Sequence, residues 1–169
     1  MREICFCDYI NLDYDTSKQI LAIRNLKHVR EASKNTDKIS LNSHINWIKN
    51  LKNNQYFAIT IGNSVVGGVS LVNGLWGIFY KNDIDAILKL LCAFIFFENA
   101  FKKIDTIESN VKINNQNALN FNLFFGFRQI KKDSEFYYLA LKKEDFLNLE
   151  NSTIDLLKKI KKTYSIKWA

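Results

Sequence analysis

The chain has 169 residues, the length of one ordinary domain and enough to bury a core without disulfides or metals to hold it. A composition that is 47% hydrophobic, 14% aromatic and 24% charged excludes an intrinsically disordered chain. The net charge of +7 invites a nucleic-acid reading, but only Arg2, Arg24, Arg30 and Arg128 are arginines and the lysines sit among acidic neighbours, so no nucleic-acid partner is expected.

Residues 3–12 read as a first strand carrying Cys5 and Cys7 on one face. With Cys92 the cysteines make an odd count, and Cys5-x-Cys7 lacks the two-residue spacer of shared metal ligation, so no metal site is expected and the thiols read as small apolar core side chains. The residues up to Cys5 lack the apolar core of a signal peptide, which predicts a cytoplasmic protein. A helix follows over 16–27, with Asp15 or Thr16 as cap and Ile20, Ile23 and Leu26 on its apolar side. Ser40 precedes a second helix in which Leu41, Ile45, Ile48 and Leu51 recur at helical spacing. Residues 55–61 and 65–72, separated by Gly62-Asn63-Ser64, predict a hairpin, and Asn73-Gly74 turns the chain into a third strand over 75–80.

Residues 83–101 are apolar nearly all round, the pattern of a helix packed deep against a sheet. Its most apolar stretch, ILKLLCAFIFF, is interrupted by Lys89 and is shorter than the roughly 18 apolar residues that span a bilayer, so no transmembrane segment is expected. Then come a strand over 104–113, a short helix over 114–124, and closing strands over 127–130 and 135–141. The order is βααβββαβαββ, an α/β (α+β) class with a mixed, mostly antiparallel central sheet and helices on both faces. Residues 1–143 form this domain. Residues 144–169 form a C-terminal helical extension, capped by Ser152 with Ile154, Leu157 and Ile160 on one side, that docks on the domain or makes a homodimer.

This order, together with Asn115-x-x-Ala118-x-x-x-Asn122-x-x-x-Gly126-Phe127, resembles the GNAT N-acetyltransferases. Ile23-Arg24-Asn25 and Ile39-Ser40-Leu41-Asn42-Ser43-His44 are similar to one branch, the nucleotide-sugar amine acetyltransferases of the pseudaminic acid pathway; the likeness runs from about Ile20 through Lys142. The resemblance implies acetyl-CoA as co-substrate and, as acceptor, a small amine such as the amino group of a nucleotide-linked sugar in surface or flagellar glycan synthesis. It also implies that the strand over 75–80 splays from the next. Gly77, Ile78 and Phe79 would then offer free backbone groups to pantetheine, with an N–H near Ile78 facing the thioester oxygen. Gly77 is read as a bulge that opens the sheet or as simple packing.

Asn115 is read as a cofactor ligand or as a helix cap. Asn122 stands where the resembled family has a tyrosine that protonates the departing thiolate; an amide cannot be that acid but can donate a hydrogen bond, and Tyr80, Tyr137 and Tyr138 are candidates to replace it. Arg24, His44 and Tyr80 are assigned to the substrate pocket, with His44 also relaying the amine proton. Tyr80-Lys81-Asn82-Asp83-Ile84-Asp85-Ala86 has no glycine where the resembled family has a phosphate-binding loop, and Asp83 and Asp85 would repel a diphosphate there. The alternative function is therefore a binding or regulatory protein of the same fold without turnover.

Overall fold

The computed structural model describes residues 1–169. One sheet of eight strands runs through it: β1 (Arg2–Asp8), β2 (Tyr56–Ile61), β3 (Ser64–Val72), β4 (Leu75–Tyr80), β5 (Thr106–Lys112), β6 (Arg128–Lys132), β7 (Phe136–Lys142) and β8 (Tyr164–Trp168), in the spatial order β6-β7-β5-β4-β3-β2-β1-β8. All neighbours are antiparallel except β4–β5 and β1–β8. The mixed, mostly antiparallel sheet expected from the sequence is present.

Helices α1 (Tyr14–Arg24), α2 (Lys27–Ala32) and α3 (Leu41–Ile48) precede β2, and α4 (Ala86–Ala100) and α5 (Gln116–Phe124) flank β5. The predicted first helix is shorter and starts earlier, because Asp13 rather than Asp15 or Thr16 caps it: its carboxylate accepts from Thr16 N–H at 2.7 Å. The first strand stops at Asp8, whose carboxylate accepts from Ile10 N–H at 3.2 Å and Asn54 N–H at 2.6 Å and bends the chain into a single 3-10 turn. Ser40 caps α3 as expected, accepting from Ser43 N–H.

Alternation along the strands divides the core unequally. Ile4, Phe6, Ile59, Trp76 and Ile107 face α4 in a cluster of 28 buried residues, whereas Tyr9, Ile20, Ile23, Ala58 and Val65 make a cluster of five on the α1–α3 side. α4 is buried almost all round, which is why its sequence shows no polar stripe.

The tail adds α6 (Lys143–Leu147), α7 (Ser152–Lys161) and β8. The expected helix is present, capped by Asn151 rather than Ser152. Its Ile154 and Leu157 are fully buried in the large cluster and Lys161 pairs with Glu98 of α4 at 2.6 Å, so it docks on its own chain. The strand after it was not anticipated: β8 runs parallel to β1, covers that edge and stacks Trp168 on Phe6 with ring centres 4.3 Å apart.

Candidate active site

β4 is zipped to β3 over six residue pairs but meets β5 at one, Leu75 opposite Glu108, where Glu108 N–H donates to Gly74 C=O at 2.8 Å. Beyond that point the two strands diverge. Lys81 N–H bonds Val66 of β3 and Gly74 C=O faces β5, so alternation turns the backbone groups of Ile78 and Tyr80 into the split. An extended edge of this kind is a template for a ligand that carries amides.

Gly77 does not open the sheet. The β3–β4 register is continuous through it, and an added Cβ would meet only Ser70 Oγ at 3.6 Å. Within the meander the irregularity lies in β3, between Ile59 and Thr60 of its partner β2, and the glycine required by close approach is Gly67, where a Cβ would collide with Phe79 C=O.

The side chains of β4 divide between two faces. Toward α4, Trp76 packs on Phe97 at 4.5 Å and its indole N–H donates to Asn122 Oδ1 at 3.0 Å. Asn122 Nδ2 donates in turn to Ala118 C=O at 2.8 Å, so this buried amide has both ends engaged near the closed end of the split. Tyr80 also faces α4: its hydroxyl donates to Lys89 C=O at 2.8 Å, and burial raises its pKa well above the ordinary value. That orientation turns Tyr80 away from the face that holds Arg24 and His44. Tyr138 donates to Asp133 at 2.6 Å in an exposed bond, and Tyr137 packs against the large core cluster. Asn115 caps α5, accepting from Ala118 N–H at 3.1 Å. Asp85 caps α4 by accepting from Ile87 N–H at 2.8 Å and Leu88 N–H at 3.4 Å. The end of α4 that would attract an anion therefore already holds a carboxylate.

On the other face, Phe79 packs against a group of aromatic rings around Tyr9. His44 lies 6.2 Å from the Tyr9 ring, Trp47 6.1 Å and Tyr56 5.8 Å, centre to centre. Gly68 leaves room for this packing, since a Cβ there would stand 2.6 Å from the Phe79 ring and 3.0 Å from Tyr9 Oη. Two side-chain nitrogens of the whole chain are buried without a hydrogen-bond partner, Arg24 Nη1 and His44 Nε2, and both border this group. Unpaired buried polar atoms are rare and costly, so each calls for a ligand. Burial lowers the pKa of His44 below 6.5 against the opposing Ser17 backbone, leaving a neutral imidazole at neutral pH. Burial also lowers that of Arg24, the nearby Tyr9 opposing and Arg30 adding.

The two N-terminal motifs are physically joined. Asn25 Nδ2 donates to Ile39 C=O at 2.8 Å and Ile39 N–H returns a bond to Asn25 Oδ1 at 2.9 Å, which holds the end of α1 against the start of α3. Sequence reasoning missed Tyr9, Trp47 and Tyr56. Trp47 was within reach, three residues after His44 on the same helix face. It also missed α2, which touches both diverging strands: His28 Nε2–H donates to Tyr80 C=O at 2.9 Å, and Lys112 of β5 donates to Glu31 C=O at 2.7 Å.

No family model and no curated protein matches the chain. Solved structures do. The N-acetyltransferase PseH from Campylobacter jejuni in complex with acetyl coenzyme A superposes with a TM-score of 0.65 at 21% identity, over 83% of this chain and 99% of that one. FdhC, a nucleotide-linked sugar GNAT, gives 0.68 at 18% identity over 86% and 89%. AAC(6')-Ib in complex with ribostamycin and coenzyme A gives 0.67 at 10% identity over 89% and 98%. The chain has the fold of the GNAT N-acetyltransferases. No helix is long and apolar enough to cross a membrane.

Proposed function

We propose that this chain is an acetyl-CoA-dependent N-acetyltransferase whose acceptor is a small amine, the amino group of a nucleotide-linked sugar. The observation that carries this reading is the β4–β5 split, which leaves Ile78 and Tyr80 with backbone groups and no partner strand. The slot fits a pantetheine arm: the backbone of Ile78 and the N–H of Tyr80 would hold it, not Gly77 or Phe79, whose backbone groups are turned to Ser70 and Gly68 of β3, and acetyl-CoA would supply the activated acetyl group as a thioester. An N–H at Ile78, fixed before any ligand arrives, is placed to stabilise a developing oxyanion. Across β4, His44 Nε2 is a neutral base suited to take a proton from an ammonium, and the Arg24 fork suits the phosphates of a sugar nucleotide. The likeness to FdhC, a nucleotide-linked sugar GNAT, supports the choice of acceptor class, and the likeness to PseH, solved with acetyl coenzyme A, supports the choice of co-substrate.

A second reading, a GNAT-fold binding protein without turnover, draws on Asn122, held by Trp76 and Ala118, and on Asp85 in the anion seat of α4. One pair of experiments separates the two. Calorimetric titration with acetyl-CoA is expected to show binding, and release of free thiol in the presence of amino-sugar nucleotides is expected to follow. Binding without thiol release leaves the second reading; no binding at millimolar acetyl-CoA removes the enzyme.

A further inference from the structure

The function proposed above uses neither cysteine of β1. Residues two apart on a strand share a face, and Cys5 and Cys7 lie opposite Ile4 and Phe6, on the side of the small core cluster. Both thiols are free, and their Sγ atoms stand 2.9 Å apart. Cys5 is buried and Cys7 half-buried, so the pair is reached past Cys7. Cys5 is flanked across the sheet by Thr60 of β2 and Lys167 of β8, the latter exposed.

A disulfide does not suit this backbone. It needs Cβ atoms about 3.5–4.5 Å apart, whereas a strand advances roughly 6.6 Å over two residues. β1 cannot buckle freely to close that gap, because Cys5 and Cys7 are paired with Thr60 and Ala58 on one side and Cys5 with Lys167 on the other. A bridging atom does suit it: two bonds to sulfur of about 2.3 Å each need only a rotation of the side chains to open the sulfurs.

The geometry points to Cys5 and Cys7 as a two-sulfur chelate for a soft, thiophilic centre, a monovalent d10 ion such as Cu(I) or a trivalent arsenical. Cu(I) binds with release of two protons, one from each thiol, and no change of oxidation state. An arylarsine oxide condenses with the two thiols to a cyclic dithioarsinite, its oxygen leaving as water with both thiol protons. Softness is required by the setting: the only donors are two sulfurs, one buried and one half-buried, a set that suits a centre which bonds sulfur strongly. Nothing else completes a shell, for no three His, Cys, Asp or Glu side chains converge anywhere in the chain, and two-coordinate Cu(I) needs no third ligand. Cys92, alone inside α4 and pushed up to about 12 by burial, is the internal control.

The test uses the full chain, Cu(I) in anaerobic competition with a chromophoric chelator, and phenylarsine oxide followed by intact mass. One Cu(I) and one phenylarsenic adduct per chain are expected. Cys5→Ser and Cys7→Ser should each weaken Cu(I) by about 100-fold and abolish the adduct, because a chelate needs both sulfurs; Cys92→Ser should leave both unchanged. Capture of only one of the two probes supports the chelate and identifies which centre it takes. Should Cys5→Ser fail to fold, Cys5→Ala and Cys7→Ala make the same comparison. Capture of neither probe, or capture that survives in either single variant, overturns the proposal. So does a two-dalton loss when the folded chain is treated with diamide, since that means the strand closes to a disulfide.

Discussion

The two faces of β4 treat their polar groups in opposite ways. Toward α4 and α5, the residues that a cofactor would call on are engaged within the chain: Asn122 with Trp76 and Ala118, Tyr80 with Lys89, Asp85 with the first amides of α4. Toward α1 and α3, the fold buries Arg24 Nη1 and His44 Nε2 and gives them nothing. A face whose groups are satisfied is a scaffold, and a face that tolerates unpaired polar atoms is arranged for a ligand that will pair them. The face proposed to take the acceptor is thus the more completely prepared of the two.

The sharpest way to break this contrast is Arg24→Met. If Arg24 pairs an anionic acceptor group, its loss removes about 1.5–3 kcal/mol, a rise in acceptor KM of the order of 10- to 150-fold, with acetyl-CoA affinity in calorimetry unchanged; equal losses for both ligands would erase the distinction between the faces. Next is Asn122→Leu, which leaves the Trp76 indole N–H unpaired and should cost about 1–3 kcal/mol in urea denaturation while kcat stays as it was. Asn122→Tyr, which the motif alone would favour, overfills the same buried position and should destabilise by about 1–3 kcal/mol; a higher kcat in that variant would return Asn122 to the reaction. Smaller still is Asp85: Asp85→Ala should cost about 1 kcal/mol of stability by loss of the cap. Asp85→Ser keeps a cap without the charge and should tighten coenzyme A about threefold, in line with a helix-end charge of 0.3–1 kcal/mol.

The smallest effect is in pH. Burial lowers the folded pKa of His44 below its unfolded 6.5, so the unfolded chain binds the extra proton first. The contribution of His44 to stability is therefore intact above 6.5 and declines as pH falls through that value toward the lower folded pKa. Urea midpoints measured from pH 7.5 downward should drop less steeply in His44→Gln; parallel curves would show that His44 is not held neutral.

Local signals carried the sequence a long way. Strand and turn chemistry located the meander, with 75–80 matching β4 at both ends, and Ser40 marked the start of α3, because each depends on residues adjacent in the chain. The all-apolar stretch around Leu91 identified the buried helix for the same reason. The resemblance of two short motifs to the nucleotide-sugar branch placed Arg24 and His44 among the candidates. What these local signals could not supply was any partner distant along the chain. That Asn122 meets Trp76, 46 residues away, that Tyr80 turns toward α4, and that Tyr9 and Tyr56 close around His44 are consequences of strand order and facing. The same holds for β8, whose five residues gain a reason to be a strand only from the open edge of β1 beside them. Composition and periodicity located the meander, the buried helix and the capped helices, though not α2 or β8; the tertiary structure decided which polar groups were left for a ligand, because pairing is settled between segments.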